Sequence, residues 1–251
     1  MVKKTAITIN NVKIEFSLFT QGLPSIKMLF IELLKGRSIL TQRKFVALDG
    51  VSFKVPFGET IGIIGHNGAG KSTILKVISG IFEPIEGSVS VNGKIAPIIE
   101  LNAGFDDDLT GRENAYLNGA LLGMSRKEMD EKIDAIIDFT GLQEFIDVPL
   151  KAYSSGMKIK LGFAVATEVN PDILIIDEVL AVGDVNFREK SYQRIKKFKK
   201  QGKTIVFVSH DLDAVKKFCS RVIVLHHGKL VFDGSPIGAI KLYHKIMLKE
   251  Q

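Results

Sequence analysis

Three short stretches, Ile61 to Ile64, Ile173 to Ile176 and Thr204 to Val208, are continuously apolar or β-branched. Runs of that length without a polar face suit strands covered on both sides, as in a parallel sheet. Helical spacing follows the first in Ile74, Leu75, Val77 and Ile78, and the third in Leu212, Val215 and Phe218. The alternation of buried strand and helix predicts an α/β fold. Two other segments, Thr5 to Phe16 and Val46 to Val55, alternate instead and read as antiparallel strands, with turn residues at Asp49-Gly50 and Pro56-Phe57-Gly58. Residues 86–99 (EGSVSVNGKIAPII) read as a hairpin turning at Asn92-Gly93.

Two interruptions stand out. Between the antiparallel strands, Ser17 to Lys44 contains PSIKMLFIELLKG, a short helical pattern apolar on nearly every side. It either packs on the host domain or docks against a membrane partner or the bilayer face. Further on, Thr110 with Glu113 and Ser125 with Glu128 each have the spacing of a helix-start capping box, and Gly141 ends the second helix. A helical subdomain over about 102–165 is therefore expected, inserted between strands of the main sheet. Pro236 opens a terminal helix that occupies 236–251.

Composition narrows the setting. With 251 residues the chain holds one large domain, residues 1–251, and a single cysteine, Cys219, rules out an internal disulfide. No apolar run reaches bilayer length and the N-terminus has no secretory pattern, so a membrane function calls for a partner. The net charge of +6 is concentrated in Lys190 to Lys203, which reads as a solvated helix face; nucleic acid is not the expected partner. Asp106, Asp107 and Asp108 read as a solvated loop, because adjacent side chains diverge on any regular backbone.

The chemistry lies between the first strand and its helix. Gly65, Gly70, Lys71 and Ser72 satisfy G-x-x-x-x-G-K-[ST], the phosphate-binding P-loop, with Asn67, Gly68 and Ala69 completing the loop. Its backbone N–H groups converge on phosphate oxygens at a helix N-terminus, Lys71 adds a charge, and the Ser72 hydroxyl is placed for Mg²⁺, with Thr73 behind it. The second strand ends in Asp177-Glu178 and the third in Ser209-His210-Asp211, both at the edge where open α/β sheets bind ligands. There Asp177 would hold the metal, Glu178 would orient the attacking water, and His210 would donate to a γ-phosphate oxygen. His226, His227 and His244 are expected to be structural or solvated, and His66 to play no chemical part.

Tyr153-Ser154-Ser155-Gly156-Met157, ahead of the Asp177 strand, resembles the signature of ABC ATPases, whose usual form is Leu-Ser-Gly-Gly-Gln. The resemblance runs over about residues 5–235 and implies an α/β P-loop NTPase (RecA-like) cassette with an antiparallel β subdomain and a helical subdomain. It further implies ATP and Mg²⁺ as ligands, and two copies of the chain sandwiching two ATP molecules. By position it makes Ser154, Ser155 and Gly156 contacts to the partner's ATP, Glu178 the catalytic base, Asp184 the conversion-loop acid, His210 the switch histidine and Phe16 the adenine-stacking aromatic. The glutamine usual before the helical insert is missing, with Glu100 or Asn102 in its place. GFDDDLTGRENAYLNG, the altered signature and the apolar insertion are similar to the ATPase subunits of bacterial polysaccharide exporters. That similarity implies a separate integral-membrane permease, a lipid-linked glycan as cargo, most of all O-antigen, and a place at the cytoplasmic face of the inner membrane. Another transported substrate, or a soluble ABC ATPase on nucleic acid or ribosomes, is the alternative.

Overall fold

The computed structural model describes residues 4–19, 42–99, 101–177 and 184–249. Strands β1 (Thr5–Phe19), β2 (Gln42–Pro56) and β4 (Glu86–Val91) form an antiparallel sheet in the order β2-β1-β4. Strands β3 (Thr60–Ile64), β5 (Ile95–Ile98), β6 (Ile173–Asp177), β7 (Thr204–Val208), β8 (Arg221–His226) and β9 (Lys229–Gly234) form a second sheet in the order β5-β6-β7-β3-β8-β9. All its neighbours are parallel except β8 and β9, which form a hairpin. The helices are α1 (Lys71–Ile78), α2 (Gly111–Leu121), α3 (Arg126–Thr140), α4 (Ser155–Glu168), α5 (Val185–Lys200), α6 (Leu212–Phe218) and α7 (Pro236–Met247).

The apolar runs have no polar face because both sides of the large sheet are covered. Ile61, Ile63, Ile173, Ile175, Val206 and Val208 pack with α1 and the antiparallel sheet. The intervening Ile64, Leu174, Ile176, Ile205 and Phe207 pack with Phe163 of α4, Phe187 and Ile195 of α5 and Phe218 of α6. Each fully buried side chain of this size contributes about 1.5–3 kcal/mol. The strand ends that carry the chemistry are thereby fixed in place. A third cluster, including Met129, Ile136, Leu161 and Val165, joins α2, α3 and α4.

Both capping boxes form: the Thr110 and Ser125 side chains accept from the N–H groups of Glu113 and Glu128, whose carboxylates accept in return. Gly141 ends α3 in the left-handed region at φ 67°. Asn92-Gly93, in contrast, is not a hairpin turn. It passes the chain from one sheet to the other, because β4 pairs with β1 while β5 pairs with β6. Asn92 N–H donates to the Ala6 carbonyl at 2.8 Å and Lys94 N–H to the Asp172 carboxylate at 2.9 Å, each bonding to a different sheet. The interruption after β1 begins later than the sequence suggests, since Ser17 pairs with Lys44 and Phe19 with Gln42. Its apolar helical pattern lies outside the described residues.

Candidate nucleotide site

β3 is buried along its whole length and ends in the loop 65–70. That loop needs glycine for two separate reasons. A Cβ on Gly65 would strike the Leu225 carbonyl of β8, and Gly70 combines φ 103° with a Cβ position 2.7 Å from the Ala47 carbonyl. The chain thus turns tightly against β2 and β8, and α1 starts with Gly70 as its N-cap, a residue with no side chain to bond its first-turn N–H groups. An eight-residue helix start lined with backbone donors favours an anion. Lys71, only 8% exposed, lies at the mouth of this cradle and donates to the carbonyls of Gly65 at 2.8 Å and His66 at 3.0 Å. Ser72, beside it, is exposed. Cradle, buried ammonium and accessible hydroxyl together fit a polyphosphate carrying a hard divalent cation.

Sheet order sets the distances between the remaining groups. Asp177 pairs with Val208 of β7, and Val208 pairs with Ile63 of β3. The Asp177 backbone is therefore two strands, about 10 Å, from the start of the P-loop on the same sheet edge. Ser209, His210 and Asp211 leave β7 at that edge. The Asp211 carboxylate caps α6 through the N–H groups of Asp213 and Ala214, both at 3.0 Å, while Asp211 N–H donates to Ser209 Oγ at 3.1 Å. These bonds hold the turn from both sides and leave the His210 ring exposed. Glu178 and Glu100 lie outside the described residues; Asn102 is exposed in the turn before α2.

The signature residues open α4. Ser154 is its N-cap, accepting from Met157 N–H at 3.2 Å, and Ser155 follows as an exposed first-turn residue. Among the described residues, only Ser154 Oγ, at 3.9 Å, approaches the Cβ position of Gly156. Tyr153 is buried and donates to the Phe145 carbonyl at 2.7 Å, which anchors the preceding loop. The acidic triplet has a structural use. Asp107 pairs with Lys158, Asp108 with Lys151 at 3.1 Å, and Asp106 accepts from Asp108 N–H at 3.0 Å, so the carboxylates diverge. Asp184 caps α5 through Phe187 N–H at 2.9 Å and pairs with Lys160 of α4. Lys160 first, and then the Phe187 N–H, draw its carboxyl down to about 2.

Phe16 is half-buried against Phe82, with ring centres 5.4 Å apart. Its cross-strand partner is Phe45, which is 48% exposed. Directly paired side chains share a face of the sheet, so Phe45 is an aromatic that the reading from sequence passed over. The sequence carries only a phenylalanine at the start of an alternating strand; its exposure and its pairing with Phe16 come from the fold. The histidines hold a second surprise. His66, His226 and His227 come together, with ligand atoms within 4.8 Å of one another.

The comparisons with known proteins agree with this geometry. A family model described as ABC transporter matches residues 48–181. The chain is 46% identical over 241 residues to the O-antigen export system ATP-binding protein RfbB of Klebsiella pneumoniae, covering 96% of this chain and 98% of that protein. It is 49% identical over 203 residues to the teichoic acids export ATP-binding protein TagH of Enterococcus faecalis, covering 81% of this chain and 45% of that one. Among solved structures, an ATP-binding subunit of an ABC transporter superposes with a TM-score of 0.75 at 24% identity, over 97% of this chain and all of the other. A dimeric post-hydrolysis cassette bound to ADP and Pi gives a TM-score of 0.71 at 23% identity, over 92% of this chain and 98% of the other. With its P-loop, its strand-end acid and its capped signature helix in that order along the chain, this protein belongs to the ABC transporter family as an ATP-binding cassette.

Proposed function

We propose that the chain is the ATP-hydrolysing subunit of an exporter of lipid-linked polysaccharide, O-antigen above all, working as a pair of copies with a separate membrane permease. The observation that supports this most is near full-length similarity to an O-antigen export ATP-binding protein, on a chain whose own phosphate cradle is intact. Among the described residues no helix is long and apolar enough to cross a membrane. In this reading the permease supplies the path and holds the cassette at the cytoplasmic face of the inner membrane.

The residues divide the work. Loop N–H groups from Gly65 to Gly70 and the α1 start hold the phosphates, and the Lys71 ammonium neutralises charge on the terminal ones. Phe16 offers a ring to adenine. Ser72 and Asp177 would hold Mg²⁺, which withdraws charge from the phosphate oxygens when bound. Glu178 accepts a proton from the attacking water and His210 donates a hydrogen bond to the γ-phosphate. Ser154, Ser155 and Gly156 present a hydroxyl and helix-start N–H groups to the nucleotide of the other copy, and Asp184 ties that signature helix to the segment leading from Glu178. Closing of two copies pushes on the permease, and hydrolysis resets them.

Purification of the tagged chain from its own host and identification of the copurifying membrane protein tests the assignment. Deletion of the gene should abolish one surface glycan, with its lipid-linked form accumulating inside the cell. Loss of a teichoic-acid-type polymer would move the cargo to the second reading, which the similarity to TagH favours. An unaltered cell surface would refute export of a glycan.

A further inference from the structure

The β8–β9 turn is two residues long, because His226 pairs with Lys229 and leaves His227 and Gly228 between them. Both take positive φ, 45° and 74°, as a type I′ turn requires. Histidine tolerates the left-handed region better than most residues but less well than asparagine or glycine. In an extended strand, successive side chains point to opposite faces. The left-handed turn breaks that rule, and the rings of His226 and His227 lie on one side with centres 4.3 Å apart.

His66, the second residue of the P-loop, meets them there, its ring centre 5.1 Å from that of His226 and 4.6 Å from that of His227. Its Nδ1 lies 2.7 Å from the Asn67 carbonyl, which can only accept, so Nδ1 carries the proton. Its Nε2 lone pair accepts from His227 N–H at 3.3 Å, a long bond that an incoming ion would displace. A backbone carbonyl fixing the tautomer through the remote nitrogen is the usual arrangement behind a metal-bound imidazole. For a tetrahedral ion with metal–nitrogen bonds of about 2.0–2.1 Å, two bound rings have centres about 5 Å apart. The His66 ring lies near this spacing, 5.1 Å from His226 and 4.6 Å from His227, while the 4.3 Å between His226 and His227 would have to open on binding. The ligand atoms lie within 4.8 Å of one another, and rotation of the rings on binding would bring them toward the edge of about 3.3 Å that such an ion needs.

We propose that His66, His226 and His227 form a binding site for a divalent transition ion of the zinc, cobalt or nickel type, joining the P-loop to the β8–β9 turn. Imidazole ligands select these ions over Mg²⁺, which prefers oxygen, so the site is chemically separate from the ion carried with the nucleotide. Three protein ligands leave a fourth position for water or an anion. The bound ion would fasten loop and turn more firmly than the Gly228 N–H to Ala69 carbonyl bond, at 3.1 Å, now does. The site stands on its own geometry and does not depend on the transport reading.

The test uses full-length, chelator-treated protein with a tag free of histidine, and no nucleotide. Co²⁺ should bind one per chain in the micromolar range or tighter, with the visible spectrum of tetrahedral nitrogen ligation, and Zn²⁺ should displace it while excess Mg²⁺ should not. His227→Asn removes a ligand but supplies the residue that a type I′ turn favours, so its metal-free melting temperature should equal or exceed the wild-type value. Its Co²⁺ and Zn²⁺ affinities should fall by at least about tenfold. Absence of stoichiometric binding to wild type, or a smaller loss in a folded His227→Asn, overturns the site.

Discussion

At the scale of single residues, the P-loop lysine and the strand-end glutamate are expected to fail differently. Lys71 supplies charge to the bound state itself, so Lys71→Ala should abolish nucleotide binding, as measured by fluorescence of a labelled ATP analogue. Glu178 acts on water; Glu178→Gln should retain ATP but lose about 10²- to 10⁴-fold in turnover, the scale of a general base. Equal turnover in this variant and wild type would remove Glu178 from the mechanism. Cys219 gives a prediction of the opposite kind. It is buried between α6 and β8, and desolvation pushes its thiol up to about 12. At pH 8 the folded chain should react with iodoacetamide at least about 10²-fold more slowly than the denatured chain, because the thiolate is the attacking species. Rapid labelling of folded protein would contradict that burial.

Among secondary-structure elements, the helix termini carry measurable terms. Gly141 closes α3 at φ 67° with no atom of the described residues within 4 Å of its Cβ position, so Gly141→Ala isolates the left-handed backbone penalty. A loss of about 1 kcal/mol in urea unfolding is expected. Asp184 links α4 to α5, and its folded-state value, about 2, lies below the usual 3.8. A depressed carboxylate stabilises the fold fully above its unfolded value and loses that contribution as pH falls toward the folded one. The gap in urea midpoint between wild type and Asp184→Asn should hold from pH 7 to about 5 and shrink below about 4. A gap independent of pH would disprove the ion pair with Lys160. Elements defined by nearby residues were legible from sequence: both capping boxes, the P-loop and the strand runs depend on spacings of three to eight residues. What was missed depends on distant pairing. Asn92-Gly93 has the residues of a hairpin turn, yet Asn92 bonds to Ala6, far back along the chain, and no local pattern encodes that choice. The histidine cluster likewise joins positions 161 residues apart, and Phe45 gains its interest only from standing opposite Phe16.

For the whole molecule, the signature helix and the P-loop serve different nucleotides in the proposed sandwich, so one copy alone is half a machine. Glu178→Gln with Mg·ATP should therefore elute as a dimer by size-exclusion chromatography with light scattering, and return to monomer when ADP replaces ATP. A chain that stays monomeric with ATP, with hydrolysis blocked and the permease present, would rule the sandwich out. Motion during such a cycle cannot be shared evenly through the fold. The Gly228 N–H bonds the Ala69 carbonyl of the P-loop, and the Gly228 carbonyl accepts from Asp49 N–H of β2 at 2.9 Å, so one glycine fastens both sheets together beside the nucleotide. β2 also lies against the Gly70 position, a second contact between the two sheets beside the P-loop. The two sheets are expected to move together, as one jaw of a caliper. The helical layer meets the large sheet through Phe163 and meets α5 through the Lys160–Asp184 and Arg194–Glu168 pairs; it is expected to be the part that moves, and a permease drawing mechanical work from this subunit would do best to grip it there.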